Sequence, residues 1–344
     1  MISVVVPTFN RDRMLAPTLD DLLAQRADVA HEIIVVDNNS TDGTRALAHA
    51  YAARPGGVVR YVFEGRQGLS AARNAGIGVA RGDVVAFVDD DVRVHPGWLQ
   101  ALADAYRAHP NAWGVGGRVI LGLPERCPPW FDPGSRITEY LSRLDVGDET
   151  LQIHYPISML GANMSVTREA LSRVGLFNPD LGYAGSRRIT NEDMEMSFRI
   201  YRAGGTLFYC GQAAVTHPVP AARLSKRWLR QRAYWEGRSV GLGTGYEHNE
   251  RTAIKVIGRA ALALRDSARA LACYASGNSR RGVEHELAVW VRLGYLQQML
   301  FGGPVRPAHR GKTLKAKELD QSAVPQHDEV MPRASAAGGG ACSR

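Results

Sequence analysis

The chain has 344 residues, enough for one large domain or two with a sizeable core, and its 45% hydrophobic and 22% charged residues are ordinary for a globular protein. Cys127, Cys210, Cys273 and Cys342 are scattered and form no CxxC pair, which excludes a cysteine-based zinc module and a disulfide framework and fits a reducing compartment. The net charge of +8 is uneven: residues 1–220 hold 21 Arg and no Lys against 24 acids, whereas residues 221–344 hold 21 basic residues against 10 acids. A basic C-terminal third suits an anionic partner, a membrane surface or nucleic acid; the competing reading is an arginine-rich, solvated tail.

The N-terminus, MISVVVPTFN, lacks the basic region of a signal peptide, and no membrane-spanning helix is expected. Runs rich in Val and Ile at 2–6, 33–36, 58–63 and 84–88 alternate with helical spacing over about 13–25, 42–53 and 70–80. This alternation predicts βαβ units around a parallel sheet. The runs are apolar throughout, which predicts strands covered on both faces.

From about 96 to 220 the pattern is irregular. CPPWFDPG (127–134) reads as a loop, 160–166 as a strand, 191–203 as a helix closed by Gly204-Gly205, and 206–209 as a strand leading to AAVTHPVP (213–220). Helices follow. In 251–275, Arg251, Lys255, Arg259, Arg265 and Arg269 fall within about a third of the circumference, as in a peripheral helix facing anionic lipid. A helix over about 283–301 carries Leu287, Trp290, Leu293, Leu296 and Leu300, interrupted by Arg292, and from about Gly302 the composition predicts a disordered tail. The expected division is 1–220 catalytic, 221–303 helical and 304–344 tail, with no internal repeat.

The chemistry concentrates in VVAFVDDDVRV (84–94), where an apolar run ends in Asp89, Asp90 and Asp91. Adjacent carboxylates repel unless something cationic offsets them. In an extended strand Asp89 and Asp91 point to one side and Asp90 to the other. Paired hard oxygens suit Mg²⁺ or Mn²⁺, which phosphate oxygens commonly help to hold. A diphosphate ligand completes this reading; a solvated acidic turn is the alternative. Asp37 follows a second strand, IIVV, and ligands of open parallel sheets bind beyond the strands' carboxyl ends. Asp37 and Asp89 are therefore expected on one rim, Asp37 meeting a base or ribose or serving only its loop. Asp42, in a Ser-Thr-Asp-Gly turn, reads as a cap.

VVPTFNR (5–11), IIVVDNNSTDGT (33–44), GLSAARNAGI (68–77), VAFVDDDV (85–92), GANMSV (161–166) and NEDMEMSFRI (191–200) occur in that order. Together they resemble the inverting family 2 glycosyltransferases of the GT-A fold, over about residues 1–220. The resemblance implies an α/β, Rossmann-like, mostly parallel sheet flanked by helices, here with a C-terminal helical extension. It places Thr8 and Asn10 near the nucleotide, Asp37 at its base, and Arg73 at the base or phosphates. It makes the acidic triplet the family's DXD element, with Asp91 on Mn²⁺ or Mg²⁺ and Asp89 and Asp90 helping through the metal shell or the ribose. The metal then stabilises the departing diphosphate.

Of the acidic pair Glu192-Asp193, the resemblance makes Asp193 the general base beside the acceptor hydroxyl. The alternative is local: with Thr190 as N-cap, Asp193 sits at the third helical position, where an acid favours the dipole. Glu195 and Arg199 read as a helical ion pair. His217 resembles a further metal ligand of some GT-A enzymes, or fills a packing role. Trp98, Trp130 and Tyr183 suit either a sugar pocket or the core. RQRAYWEGR (230–238) departs from the QxxRW element of processive synthases, which implies one sugar per encounter.

The expected partners are a nucleoside-diphosphate sugar, a glycan or lipid-linked acceptor, and an anionic membrane surface met by the basic helices. Nucleic acid is not expected, and the location is cytoplasmic, peripheral at the inner face of the cell membrane. Two other classes compete: a haloacid-dehalogenase-like phosphatase using the Asp-x-Asp element, and a non-catalytic membrane-surface binding protein.

Overall fold

A computed structural model describes residues 1–185, 187–244 and 252–302. The N-terminal half is a run of βα units: β1 (Ile2–Thr8), α1 (Asp12–Leu23), β2 (His31–Asp37), α2 (Thr44–Ala52), β3 (Val59–Phe63), α3 (Leu69–Val79) and β4 (Val84–Val88). These strands are parallel in the order β3-β2-β1-β4. Their unbroken apolar runs follow from burial on both faces. On one face Val4, Val6, Ile33 and Val35 join Leu15, Leu19 and Leu22 of α1. On the other, Val5, Ile34, Val36 and Phe87 join Ile77 of α3. Each such side chain contributes about 1.5–3 kcal/mol on burial.

The middle of the chain continues the sheet: β5 (Arg93–Val94), α4 (Trp98–Ala108), β6 (Ala112–Gly122), β7 (Thr150–Ile153), β8 (Asn163–Thr167), α5 (Arg168–Val174), α6 (Glu192–Arg202) and β9 (Thr206–Pro218). The order runs on from β4 through β8, β6 and β9 to β5, with β7 also beside β9. β8 is antiparallel to both neighbours, and β5 and β7 are antiparallel to β9. The strand expected at 206–209 runs on through most of the AAVTHPVP segment as one long strand to Pro218, whose ladder shifts register opposite Gly117 and Arg118. β5 pairs with the far end of β9, Arg93 opposite Thr216 and Val94 opposite Val215. That pairing folds the acidic turn back over His217.

Two local expectations change. β4 stops at Val88, and Asp90 and Asp91 lie in a turn. The alternation that put Asp89 and Asp91 on one side therefore does not apply, because it requires an extended strand. Helix α6 is capped by Asn191 at φ 71°, not by Thr190, so Asp193 is its second residue. At the other end Gly204 (φ 80°) closes α6 as expected, its N–H bonding Tyr201 O while Gly205 N–H bonds Ile200 O.

Three helices follow: α7 (Lys226–Thr244), α8 (Thr252–Ala275) and α9 (Ser279–Phe301). α7 and α9 cross in backbone contact at Gly237 and Gly294; a Cβ on Gly294 would run into the Tyr234 carbonyl oxygen. A core of Phe131, Ile137, Leu141, Val219, Leu229, Ala233, Val283 and Leu287 joins these helices to the 127–141 segment, so packing continues across residue 220. Arg292, which interrupts the apolar pattern of α9, reaches Asp266 of α8 at 2.8 Å, and both are largely buried. No helix among the described residues is long and apolar enough to cross a membrane. Arg251 and the segment expected as a tail lie outside the described residues, apart from Gly302.

Candidate active site

The sheet's C-terminal rim gathers the ends of β1, β4 and β9 and the start of α6. At the tip of the acidic turn, Asp91 Oδ1 lies 3.6 Å from His217 Nε2, and Oδ2 lies 3.6 Å from Arg223 Nη2 and 3.9 Å from Arg11 Nη2. Asp90 Oδ1 is 3.9 Å from Arg11 Nε, and Asp89 Oδ1 accepts from Arg73 Nη2 at 3.4 Å. Three arginines thus offset the three carboxylates. The compensation is incomplete. Burial, then the Asp91 charge, pushes Asp90 up to about 7 against the Thr8 hydroxyl and Arg11. Burial likewise raises Asp89, with Asp91 adding to it and Arg73 opposing. A further cation at this turn would be stabilised.

His217 is 6% exposed. Its Nε2 lies 3.3 Å from Arg223 Nη1, and because a guanidinium only donates, a hydrogen bond here uses the Nε2 lone pair. Nδ1 is buried with no partner among the described residues. His217 Nε2 and an Asp91 oxygen face one another at 3.6 Å, with the Arg223 guanidinium against both. Among the described residues no group of three or more His, Cys, Asp or Glu forms a metal cage. Asp91 and His217 would offer two donors to a divalent ion, which commonly takes its remaining ligands from phosphate and water.

Arg73 connects this turn to the opposite wall. It is 1% exposed, lies 5.4 Å above the Phe177 ring, and gives Nη1 to Glu192 Oε1 at 2.6 Å while Nη2 faces Asp89. Gly161 passes so close over the guanidinium that a Cβ there would strike it. Next to Glu192, Asp193 is half-buried; its Oδ2 accepts from Gly161 N–H at 2.7 Å and its Oδ1 from Met194 N–H at 2.8 Å. Burial, with the Glu192 charge, pushes Asp193 up to about 6, against Arg73. Asp193 borders a cavity of about 370 Å³, with Asp89, Tyr140, Arg143, Tyr183 and Arg232. α7 buttresses this side: Glu236 accepts from Arg232 at 2.7 Å and Asn191 at 3.2 Å, and Ser239 accepts from Thr190 N–H.

The remaining expected positions are more varied. Thr8 is buried at the end of β1, beside Asp90. Asn10 holds a left-handed backbone (φ 52°), and its Oδ1 accepts from Thr41 N–H at 2.8 Å, tying the two rim loops together. Asp37 lies on the rim but has no exposed surface; Ser40 N–H at 2.8 Å, Tyr61 at 3.0 Å and Arg45 at 3.3 Å already hold its carboxylate. Asp42 caps its turn through Thr44 N–H, and Glu195 pairs with Arg199 at 2.8 Å. Trp98 is core, donating Nε1–H to Asn163 at 2.9 Å, and Trp130 packs against the third core. Tyr183 alone of the three aromatics lines the cavity. Arg11 stood in a quoted motif without a role, and nothing in sequence marked Arg223, whose partners come from distant segments.

A half-parallel, half-mixed sheet with an acidic turn and a separate carboxylate at its C-terminal rim defines a GT-A glycosyltransferase. The mannosyltransferase PcManGT from Pyrobaculum calidifontis, solved in complex with GDP-Man and Mn²⁺, shares the fold at a TM-score of 0.54 and 21% identity, over 85% of this chain and 86% of that one. The models for Glycosyl transferase family 2 and Glycosyl transferase family group 2 match residues 3–155 and 84–275. The succinoglycan biosynthesis protein ExoM of Rhizobium meliloti is 30% identical over 246 residues, 70% of this chain and 74% of that protein. A glucosyl-dolichyl phosphate glucuronosyltransferase of Haloferax volcanii is 29% identical over 241 residues, 69% of this chain and 75% of that protein. The chain belongs to the family 2 glycosyltransferases, which sets aside the phosphatase and the non-catalytic readings.

Proposed function

We propose that the enzyme moves a single sugar from a nucleoside-diphosphate donor to a hydroxyl of a glycan or lipid-linked acceptor, inverting the anomeric carbon, with Mn²⁺ or Mg²⁺ at Asp91 and His217. The observation that carries this reading is the convergence of the Asp91 carboxylate and the His217 lone pair around a cationic position. The GDP-Man and Mn²⁺ bound to PcManGT support the donor class and the metal. The Haloferax relative, named for a glucosyl-dolichyl phosphate, supports a lipid-linked acceptor.

When bound, the divalent ion supplies positive charge to the leaving diphosphate. The chain's own residues do the rest. Arg11, and Arg223 once it yields its place between Asp91 and His217 to the ion, add cations beside the acidic turn, where the diphosphate's negative charge grows. The acceptor oxygen attacks C1, the C1–O bond breaks with its electrons passing to the diphosphate, and the hydroxyl proton passes to Asp193. With a pKa of about 6, Asp193 is mostly carboxylate at neutral pH yet more basic than a solvated Asp. Two backbone N–H groups fix its orientation, and Arg73 with Glu192 sets its distance from the turn. Contact between Asp37 and the base requires Arg45 or Tyr61 to move aside, since they hold the carboxylate. A single transfer per encounter fits the absent QxxRW element.

A thermal-shift screen of UDP-, GDP- and dTDP-sugars with and without Mn²⁺ tests this reading. One donor is expected to stabilise the protein in the presence of metal, and turnover is expected to release its nucleoside diphosphate. No stabilisation by any donor, or release of inorganic phosphate instead, contradicts it.

A further inference from the structure

Helix α8 rests against α9 through Ala263, Asp266 and Ala270, yet its outer side is not polar. Ile254, Ile257, Leu264 and Leu271 are 70%, 68%, 75% and 70% exposed. Exposed Ala261, Ala268 and Ala275 fall between and after them at alternating steps of three and four. The result is a continuous apolar stripe about 32 Å long on one helical face. Single exposed aliphatic residues are ordinary on a protein surface; a stripe of them marks something that covers it.

The flanking charges say what covers it. Exposed Lys255, Arg265 and Arg269 border the stripe along one edge. The helix's only acid, Asp266, is 3% exposed and bonded to Arg292 and Arg265. A second copy pairing stripe to stripe would bring like cations together with no exposed acid of α8 to meet them. The residues after Gly302 carry six large apolar side chains, Val305, Leu314, Leu319, Val324, Val330 and Met331, spread through polar sequence without helical spacing. An anionic lipid surface complements both features at once, its acyl boundary receiving the stripe and its phosphates the cations.

We propose that the outer face of α8 docks the enzyme on an anionic bilayer, with Ile254, Ile257, Leu264 and Leu271 inserted and Lys255, Arg265 and Arg269 on the headgroups. The sequence expectation gave the cations this task; here the apolar stripe anchors and the cations select. The inference is independent of the donor and acceptor assigned above.

Co-sedimentation of the full chain with vesicles of pure phosphatidylcholine, and of phosphatidylcholine carrying phosphatidylglycerol, tests it. The wild type should pellet strongly with the anionic vesicles and only weakly with pure phosphatidylcholine, and its binding to the anionic vesicles should weaken as salt rises. L264S/L271S should lower the partition coefficient at least tenfold at an unchanged melting temperature, because neither side chain is buried. K255Q/R269Q should retain weak, salt-insensitive binding. Failure of the wild type to pellet, or equal binding by L264S/L271S, overturns the proposal. So does a concentration-dependent dimer in light scattering that L264S/L271S abolishes, which would make a second copy the occupant.

Discussion

Replacing Arg73 with Met tests the strut between the two halves of the site. The guanidinium is buried between Glu192 at 2.6 Å and Asp89 at 3.4 Å, with Asp193 also within its field. Methionine keeps much of the volume and removes the charge, which leaves two carboxylates without their partner. Breaking a buried pair from one side costs about 3–5 kcal/mol. In a chain of this size that corresponds to a drop of roughly 5–10 °C in the melting temperature. A second readout separates the strut from mere stability. Arg73 holds Asp193 down against burial and Glu192, so its loss raises Asp193 above about 6. With Asp193 as the proposed base, transfer requires its carboxylate form, so activity climbs as pH rises through that pKa, and the acid limb of R73M should move to higher pH. R73K, which keeps the charge without the two-armed reach, should fall between. Differential scanning fluorimetry and a pH–rate profile measure both effects. A melting temperature within about 2 °C of wild type with an unmoved acid limb would refute the reasoning.

Other outcomes follow from the same geometry. D193N should lose about 10²–10⁴-fold in transfer rate while binding the nucleotide as wild type does, checked by turnover and calorimetry. D91N and H217A should each abolish the Mn²⁺-dependent part of the thermal shift with nucleoside diphosphate and leave the metal-free melting temperature largely in place. G294A should destabilise by about 1–3 kcal/mol, because its methyl meets the Tyr234 backbone where α7 and α9 cross. Denaturant titration reads the last effect.

The parallel half of the fold was legible because double burial writes itself as continuous Val and Ile runs, and β1 to β4 stand close to where those runs fall. The second half was legible in part: β8, α6 and the start of β9 lie near the expected segments, whereas β5 and β6 gave little signal. β6 contains Gly114, Gly116, Gly117 and Gly122, which dilute a strand signal, and β5 is only two residues long and exists through its pairing with β9. The acidic turn and Asp193 were visible as residue types in motifs, but their surroundings were not. Arg11, Arg223 and His217 meet Asp91 through contacts between segments far apart in sequence, which no local period records. The cap of α6 was misplaced by one residue: Asn191 takes that position with a left-handed φ, and its side chain donates to Glu236 of α7, a contact between distant segments.

The central claim is that Asp91 and His217 hold a divalent ion that the donor's diphosphate completes. Pulsed electron paramagnetic resonance of Mn²⁺ with nucleoside diphosphate and the protein reads the ligand nitrogen directly. The account predicts a histidine ¹⁴N coupling that appears with wild-type enzyme and disappears in H217Q. A spectrum indistinguishable from the free Mn²⁺–nucleotide complex would contradict it.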